Sequence, residues 1–533
     1  MPTTPRRHLR SAIIVLAADA AALATACVRS RPARAALFLL TPLVSEGCAT
    51  ARRTAADRAA GAVETDATRL RAERVERGLL SPTGVVGRAP AVHTLEERMR
   101  FHGVPAVSVA VIDSGRVAWA RAYGVTSARG APATPATLFQ AASLSKTVAA
   151  MTALRLVARG DLALDGDVTA RLTTRTLPVA DSARSAPVTL AGLLSHTAGV
   201  TVSGFPGYAA GAAVPTLRQV LDGAPPANTA PIRVDVRPGS TWRYSGGGYT
   251  VVQQLLEDVT GRPYAETVRR EVLAPLGMRA STFEPPGAAA RAPSGGAAMG
   301  HRAGGAAVPG GWHAYPELAA AGLWTTAADL ARLVLGVQAA LRGEPDAVLP
   351  RELARRMVTP VQARYGLGLA VLGAGTDSAY FTHAGNNEGY RAVMVGFVNS
   401  GRGAVVLTNG AAGVDLAYEV LRSVAREYGW PGFRQRTRAL VAATPDALSP
   451  LAGRYRLTLG GDTLVIAVRV EGDRLAATPP GSAAPIAFLP TTDGRFFSTD
   501  SGVELAFVRR ADGAVTALQL LGAGGVPPAE RLP

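Results

Sequence analysis

The stretch Phe139-Gln140-Ala141-Ala142-Ser143-Leu144-Ser145-Lys146-Thr147 contains the single lysine of a 533-residue chain. Lys and Arg together number 56, so one Lys leaves 55 arginines. A guanidinium does not lose its proton in a protein, whereas a desolvated amine does. The one position that keeps Lys therefore points to proton transfer rather than to plain positive charge. Ser143 lies three residues earlier, a spacing that stacks the two side chains on one face of a helix. A neutral amine placed there takes a proton from the hydroxyl, and a serine so activated is an acyl nucleophile. The pattern predicts a helix opening at Ser143, running to about Ala158 and closed by Gly160.

An acyl-transfer site also needs an oxyanion hole and further proton-handling groups. The backbone N–H of Ser143, at a helix N-terminus, is one oxyanion donor. Tyr244 stands in Pro238-Gly239-Ser240-Thr241-Trp242-Arg243-Tyr244-Ser245-Gly246, a glycine-rich turn before a predicted helix. A tyrosine beside a lysine ionises more readily and can serve as a base. Phe381-Thr382-His383-Ala384-Gly385-Asn386-Asn387 reads as a strand end. There Gly385 would let a substrate backbone lie close, and the N–H of Asn386 is the second candidate oxyanion donor. Taken singly, a tyrosine such as Tyr244 is more often a core or surface aromatic, and a lone histidine such as His383 is usually a satisfied structural residue.

In this order and spacing, Ser143-x-x-Lys146, Tyr244-Ser245-Gly246 and His383-Ala384-Gly385 resemble the serine β-lactamase-like family. That family holds class C β-lactamases, D,D-carboxypeptidases, D-aminopeptidases and esterases. Two connectors, Leu193-Leu194-Ser195-His196-Thr197-Ala198-Gly199 and Ala321-Gly322-Leu323-Trp324-Thr325-Thr326, resemble it as well. The resemblance covers about 93–425. It implies an α+β fold, an antiparallel sheet flanked by helices with a helical insertion. It also implies Ser143 as acyl nucleophile, with Lys146 and Tyr244 as the proton-handling pair. Two departures matter. Gly246 stands where class C β-lactamases carry Asn, and His383 where they carry Lys. Both remove polar handles for a β-lactam, so cleavage of an ester or D-peptide is favoured over β-lactamase activity. Asn387 and His196 are candidate substitutes for those handles that the sequence does not place, with His196 read as structural. The rival reading is a non-catalytic binding protein that retains the fold.

The remaining sequence sets the organisation. Residues 1–50 carry arginines, apolar stretches and Cys27 and Cys48, the only cysteines. They read as a signal or lipoprotein leader, with lipid attachment at one cysteine, export to the periplasm or cell envelope, and a start site downstream of Met1. Residues 51–90 read as a disordered tether, partly helical through Arg53 to Arg77, 91–430 as the hydrolase domain and 431–450 as a proline-containing linker. Short alternating strands over 451–533 predict a small all-β, barrel-like domain. A formal charge of +16 invites a nucleic-acid partner, but no basic stripe interleaved with aromatics supports one. The seven histidines show no metal-ligand spacing, so neither metal nor cofactor is expected. The expected partner is a small-molecule or peptide substrate.

Overall fold

A computed structural model describes residues 65–127, 130–286, 296–459, 462–478, 485–521 and 526–533. The leader, with both cysteines, and the first part of the tether lie outside the described residues. Among the described residues, no helix is long and apolar enough to cross a membrane.

The central sheet is antiparallel and built from both ends of the hydrolase domain. Its strands are β1 (Ala106–Asp113), β2 (Arg116–Gly124), β3 (Ala370–Leu372), β4 (Tyr380–Asn387), β5 (Tyr390–Phe397) and β6 (Gly403–Thr408). They lie in the order β2-β1-β6-β5-β4-β3. Ser114 and Gly115 join β1 to β2 with φ of 53° and 73°, the two positive values that a tight hairpin turn requires.

The interior strands are apolar on both faces because both faces are covered. Period-two alternation divides them between two cores. Ala110, Ile112, Ala392, Met394, Val405 and Leu407 join one core, beneath the helical insertion. Val109, Val111, Val393, Val395, Ala404 and Val406 join the other, beneath the terminal helices. The candidate site lies on the first side. There, helix α3 (Ser145–Ala158) is so enclosed that every residue from Thr137 to Leu154 is buried except Ser143. That lone partial exposure is what a nucleophile needs.

Helices α1 (Asp66–Glu76), α2 (Leu95–His102) and α8 (Gly413–Glu427) cover the opposite face. Between α3 and α8 the insertion adds α4 (Leu190–Ser195), α5 (Gly246–Thr260), α6 (Leu318–Ala321) and α7 (Ala327–Arg342).

The tether expectation is corrected from residue 65 onward. Thr65 caps α1, and Ala72 and Val75 are buried in the second core. The Oγ of Ser423 donates to the Val75 carbonyl at 2.7 Å, and Arg74 pairs with Glu427 at 2.7 Å. The helical part of the tether reading covers this helix, but its docking was not foreseen, because only two apolar side chains, an i,i+3 pair, anchor it. Ion pairs do the rest, so no wide apolar stripe is visible.

The linker is likewise held at both ends rather than free. Residues 436–438 pair in parallel with 83–85, and the N–H of Val441 donates to the Pro490 carbonyl. Eight strands between Gly453 and Arg531 then close a barrel, sealed by Tyr455 and Arg456 pairing with Arg531 and Glu530. Tyr455, Leu457, Phe488, Leu505 and Leu518 fill it. The barrel meets the hydrolase domain through the N-terminal segment and α2, where Asp500 lies 3.5 Å from Arg98.

Candidate active site

The chain enters the site through Ala142, an alanine with φ of 51°. This left-handed conformation is costly for a residue with a Cβ, and such strain clusters at functional sites. It turns Ser143 outward at the head of α3. Ser145 holds the turn: its Oγ donates to the Ala142 carbonyl at 2.6 Å and accepts from the N–H of Leu323 at 3.0 Å.

Lys146 is buried beneath this turn. Its Nζ lies 3.1 Å from Ser143 Oγ and donates to the Ala320 carbonyl at 2.8 Å. Among the described residues no carboxylate pairs with it. Burial therefore disfavours its charged form and draws its pKa down from 10.5 to about 7. In the neutral amine, one N–H remains on Ala320 and the lone pair is available to Ser143. The helix α6, which supplies that carbonyl, was invisible to sequence reasoning. A backbone acceptor carries no side-chain signature.

Tyr244 comes into the same cluster. Lys146 Nζ sits 5.1 Å from the centre of its ring. Ser245 caps α5 through its side chain, accepting from the N–H of Gly248 at 2.8 Å, which anchors the turn that presents Tyr244. His196 and Trp242 pack against it, and Tyr249 and Tyr365 extend the cluster by packing on His196. Trp242 and Tyr365 were not singled out from sequence. Tyr365 lies ahead of β3, which begins at Ala370, and is not part of the strand. Tyr365 instead turns its ring into the site, 6.0 Å from His383.

His383 lies within β4 rather than at a strand end. Its Nδ1 lies 2.7 Å from the Ala384 carbonyl, so this nitrogen carries the proton. Burial, followed by the charge of Lys146, lowers its pKa to about 3. It is therefore neutral at pH 7 and cannot replace a cationic lysine.

Gly385 plays a different part from the expected one. A Cβ there would stand 2.2 Å from the Ala141 carbonyl oxygen and 3.2 Å from the Ala142 Cβ. The close approach it permits is to the segment that delivers Ser143, not to a substrate backbone. Asn386 follows, exposed at the strand edge. Asn387 does not face a substrate: its Nδ2 donates to Gln140 Oε1 at 2.8 Å and to the Ala321 carbonyl at 3.1 Å.

Phe205 explains Gly246. A Cβ at Gly246 would lie 2.9 Å from the Phe205 ring and 3.2 Å from the Ser203 carbonyl. An aromatic edge thus occupies the space an Asn side chain would need. Gly246→Asn alone is expected to lower stability by about 1–3 kcal/mol, the usual cost of overpacking. Adding Phe205→Ala should relieve most of that loss. Thermal melts of the two single variants and the double variant check this. Additive losses would show that the ring does not oppose the new side chain.

A protein-family model described as Beta-lactamase matches residues 92–452. The chain belongs to the beta-lactamase family. Curated relatives include esterase EstB of Burkholderia gladioli, 34% identical over 216 residues, 38% of this chain and 53% of that protein. Penicillin-binding protein 4 of Amycolatopsis lactamdurans is 28% identical over 184 residues, 34% of this chain and 46% of that protein. D-aminopeptidase of Gluconobacter oxydans is 31% identical over 186 residues, 34% of this chain and 32% of that protein. The matches thus span about half, or less, of these relatives. Among solved structures, the octameric penicillin-binding protein homologue from Pyrococcus abyssi shares the fold with a TM-score of 0.56. It is 22% identical, and the match covers 80% of this chain and 96% of that one. SurE with D-Leu gives a TM-score of 0.51 at 25% identity, covering 82% of this chain and 97% of that one. Within the beta-lactamase family the chain thus has esterase and aminopeptidase relatives, both hydrolases. Among the described residues no group of side chains is arranged to hold a metal ion.

Proposed function

We propose that the protein is a serine hydrolase that cleaves an ester or a D-amino-acid amide through an acyl-enzyme on Ser143. The observation that carries this reading is Lys146, a buried amine without a carboxylate partner among the described residues, 3.1 Å from a partly exposed serine hydroxyl. Neutral Lys146 takes the Ser143 proton as Oγ bonds to the substrate carbonyl carbon. The backbone N–H groups of Ser143 and Asn386 receive the oxyanion. As the bond to the leaving group breaks, the proton passes through the Lys146–Tyr244 pair to the departing alcohol or amine. Water, deprotonated by the same pair, then attacks the acyl carbon and frees Ser143 and the acid.

Esters and D-amino-acid amides are favoured over β-lactams for two reasons. Phe205 replaces the amide handle, and neutral His383 offers no cation to a substrate carboxylate. An esterase, a D-aminopeptidase and a solved SurE structure with D-Leu among the similar proteins point the same way. The leader features further support export and lipid attachment at Cys27 or Cys48. Mass spectrometry of the mature N-terminus tests that placement, and an unmodified, uncleaved leader would exclude it.

A labelled fluorophosphonate, followed by peptide mass spectrometry, should place the adduct on Ser143. Turnover of p-nitrophenyl esters should vanish in Ser143→Ala. Absence of any adduct, together with absence of turnover, would leave the non-catalytic binding reading in its place.

A further inference from the structure

We infer that His196 is the positioning residue for Tyr244, holding it through both neighbours in the chain. This rests on the reading of Tyr244 as part of the proton-handling pair. The residue before Tyr244 donates to His196: the N–H of Arg243 reaches the His196 carbonyl at 2.9 Å. The residue after it does the same, because the N–H of Ser245 reaches His196 Nδ1 at 3.1 Å. Between these two bonds the imidazole packs on the Tyr244 ring, with centroids 4.3 Å apart and planes at 41°. One buried residue thus fixes Tyr244 from both sides, by its carbonyl and its ring nitrogen, and from one face.

The backbone of His196 is set for this task. Helix α4 ends there, and His196 adopts φ of 63°, the left-handed conformation usual for glycine or asparagine at a helix end. That turn aims both its carbonyl and its ring at residues 243–245. The neighbouring Thr197 carbonyl accepts from the N–H of Gly239, which pins the start of the same loop.

The hydrogen bonds also set the tautomer. Nδ1 accepts from a backbone N–H, so it has no proton, and Nε2 carries the N–H. The ring must stay neutral to do this, since a protonated Nδ1 has no lone pair for Ser245. Burial and the nearby Lys146 and His383 favour that neutral form. Tyr249 and Tyr365, at 5.4 and 4.6 Å between ring centres, enclose the remaining faces.

Two substitutions that accept the left-handed backbone separate position from bulk. Asn places its Oδ1 where histidine carries Nδ1, so His196→Asn keeps the acceptor for Ser245. His196→Gly keeps the backbone carbonyl that accepts from Arg243 but loses both the acceptor for Ser245 and the ring. Turnover of a p-nitrophenyl ester is measured for both, each alone and combined with Tyr244→Phe. The expected result is a loss in kcat of about 100-fold or more for His196→Gly, with KM little changed. His196→Asn should recover to within about ten-fold of the parent enzyme. In the Tyr244→Phe background His196→Gly should change kcat less than about three-fold, because the group it positions is already gone. Multiplicative losses, or an Asn variant as poor as Gly, would overturn the inference. Full activity of Tyr244→Phe by itself would instead refute the role of Tyr244 on which the inference rests.

Discussion

Lys146→Arg is expected to be nearly as inactive as Lys146→Ala, with kcat/KM for an activated ester reduced about 10²–10⁴-fold, the range of a well-placed general base. Arg preserves positive charge but cannot accept the Ser143 proton. If Lys146 merely supplied a field, Arg would retain activity, and an Arg variant within a few-fold of the parent would sink the base role.

The same group predicts the pH dependence. With its pKa drawn down to about 7, the amine is largely neutral above pH 7 and protonated below it. Acylation should therefore rise with pH through about 7 and then level off. His196 and His383 are both held below their ordinary range and do not titrate there. Glu317, buried at the start of α6 and pushed up to about 7, does. The profile should therefore be repeated in Glu317→Gln, where the limb belonging to Lys146 must survive.

Stability should also rise with pH, in the window above about 7. The unfolded chain protonates this amine below about 10.5, but the folded chain does so only below about 7. Between those values the folded state loses stability through Lys146 as pH falls, and the full cost applies below 7. Lys146→Met should consequently melt at a higher temperature than the parent at pH 7 while being inactive. A lower melting temperature would show that the amine's hydrogen bonds outweigh its desolvation.

Gly385→Ala is expected to be the most damaging single-methyl change in the site. The new Cβ would meet the Ala141 carbonyl oxygen at 2.2 Å, far inside van der Waals contact. The obstacle is backbone, so no side chain can rotate away. Either β4 or the Ala141–Ala142 turn must shift, and the turn carries Ser143. Overpacking of this kind costs about 1–3 kcal/mol, and a displacement of about 1 Å at a nucleophile costs about 10²-fold in rate. Thermal melting and ester turnover check both parts. A variant with the parent's melting temperature and activity would mean that the strand and turn do not constrain each other.

Several features were legible in the residues themselves. A lone Lys three residues after a serine is a chemical statement that needs no coordinates. The apolar runs at 107–112, 391–397 and 404–408 read as strands, because a sheet covered on both faces buries successive side chains in one core and then the other. The eight-stranded barrel was visible as a series of short strands broken by turns. The docking of helix α1 was not visible, because two small buried contacts and ion pairs leave no periodic stripe.

What only the tertiary structure decided is where distant segments meet. The Ala320 carbonyl that orients Lys146 is 174 residues away in the chain. The ring that fills the space beside Gly246 belongs to Phe205, and the oxygen that requires Gly385 belongs to Ala141. His196, read as structural from its motif, proved to hold both neighbours of Tyr244 through a left-handed backbone. Sequence determines which groups can do chemistry, since that is a property of each side chain. Backbone acceptors, steric exclusions and tautomers depend on through-space neighbours, and only the folded chain supplies those.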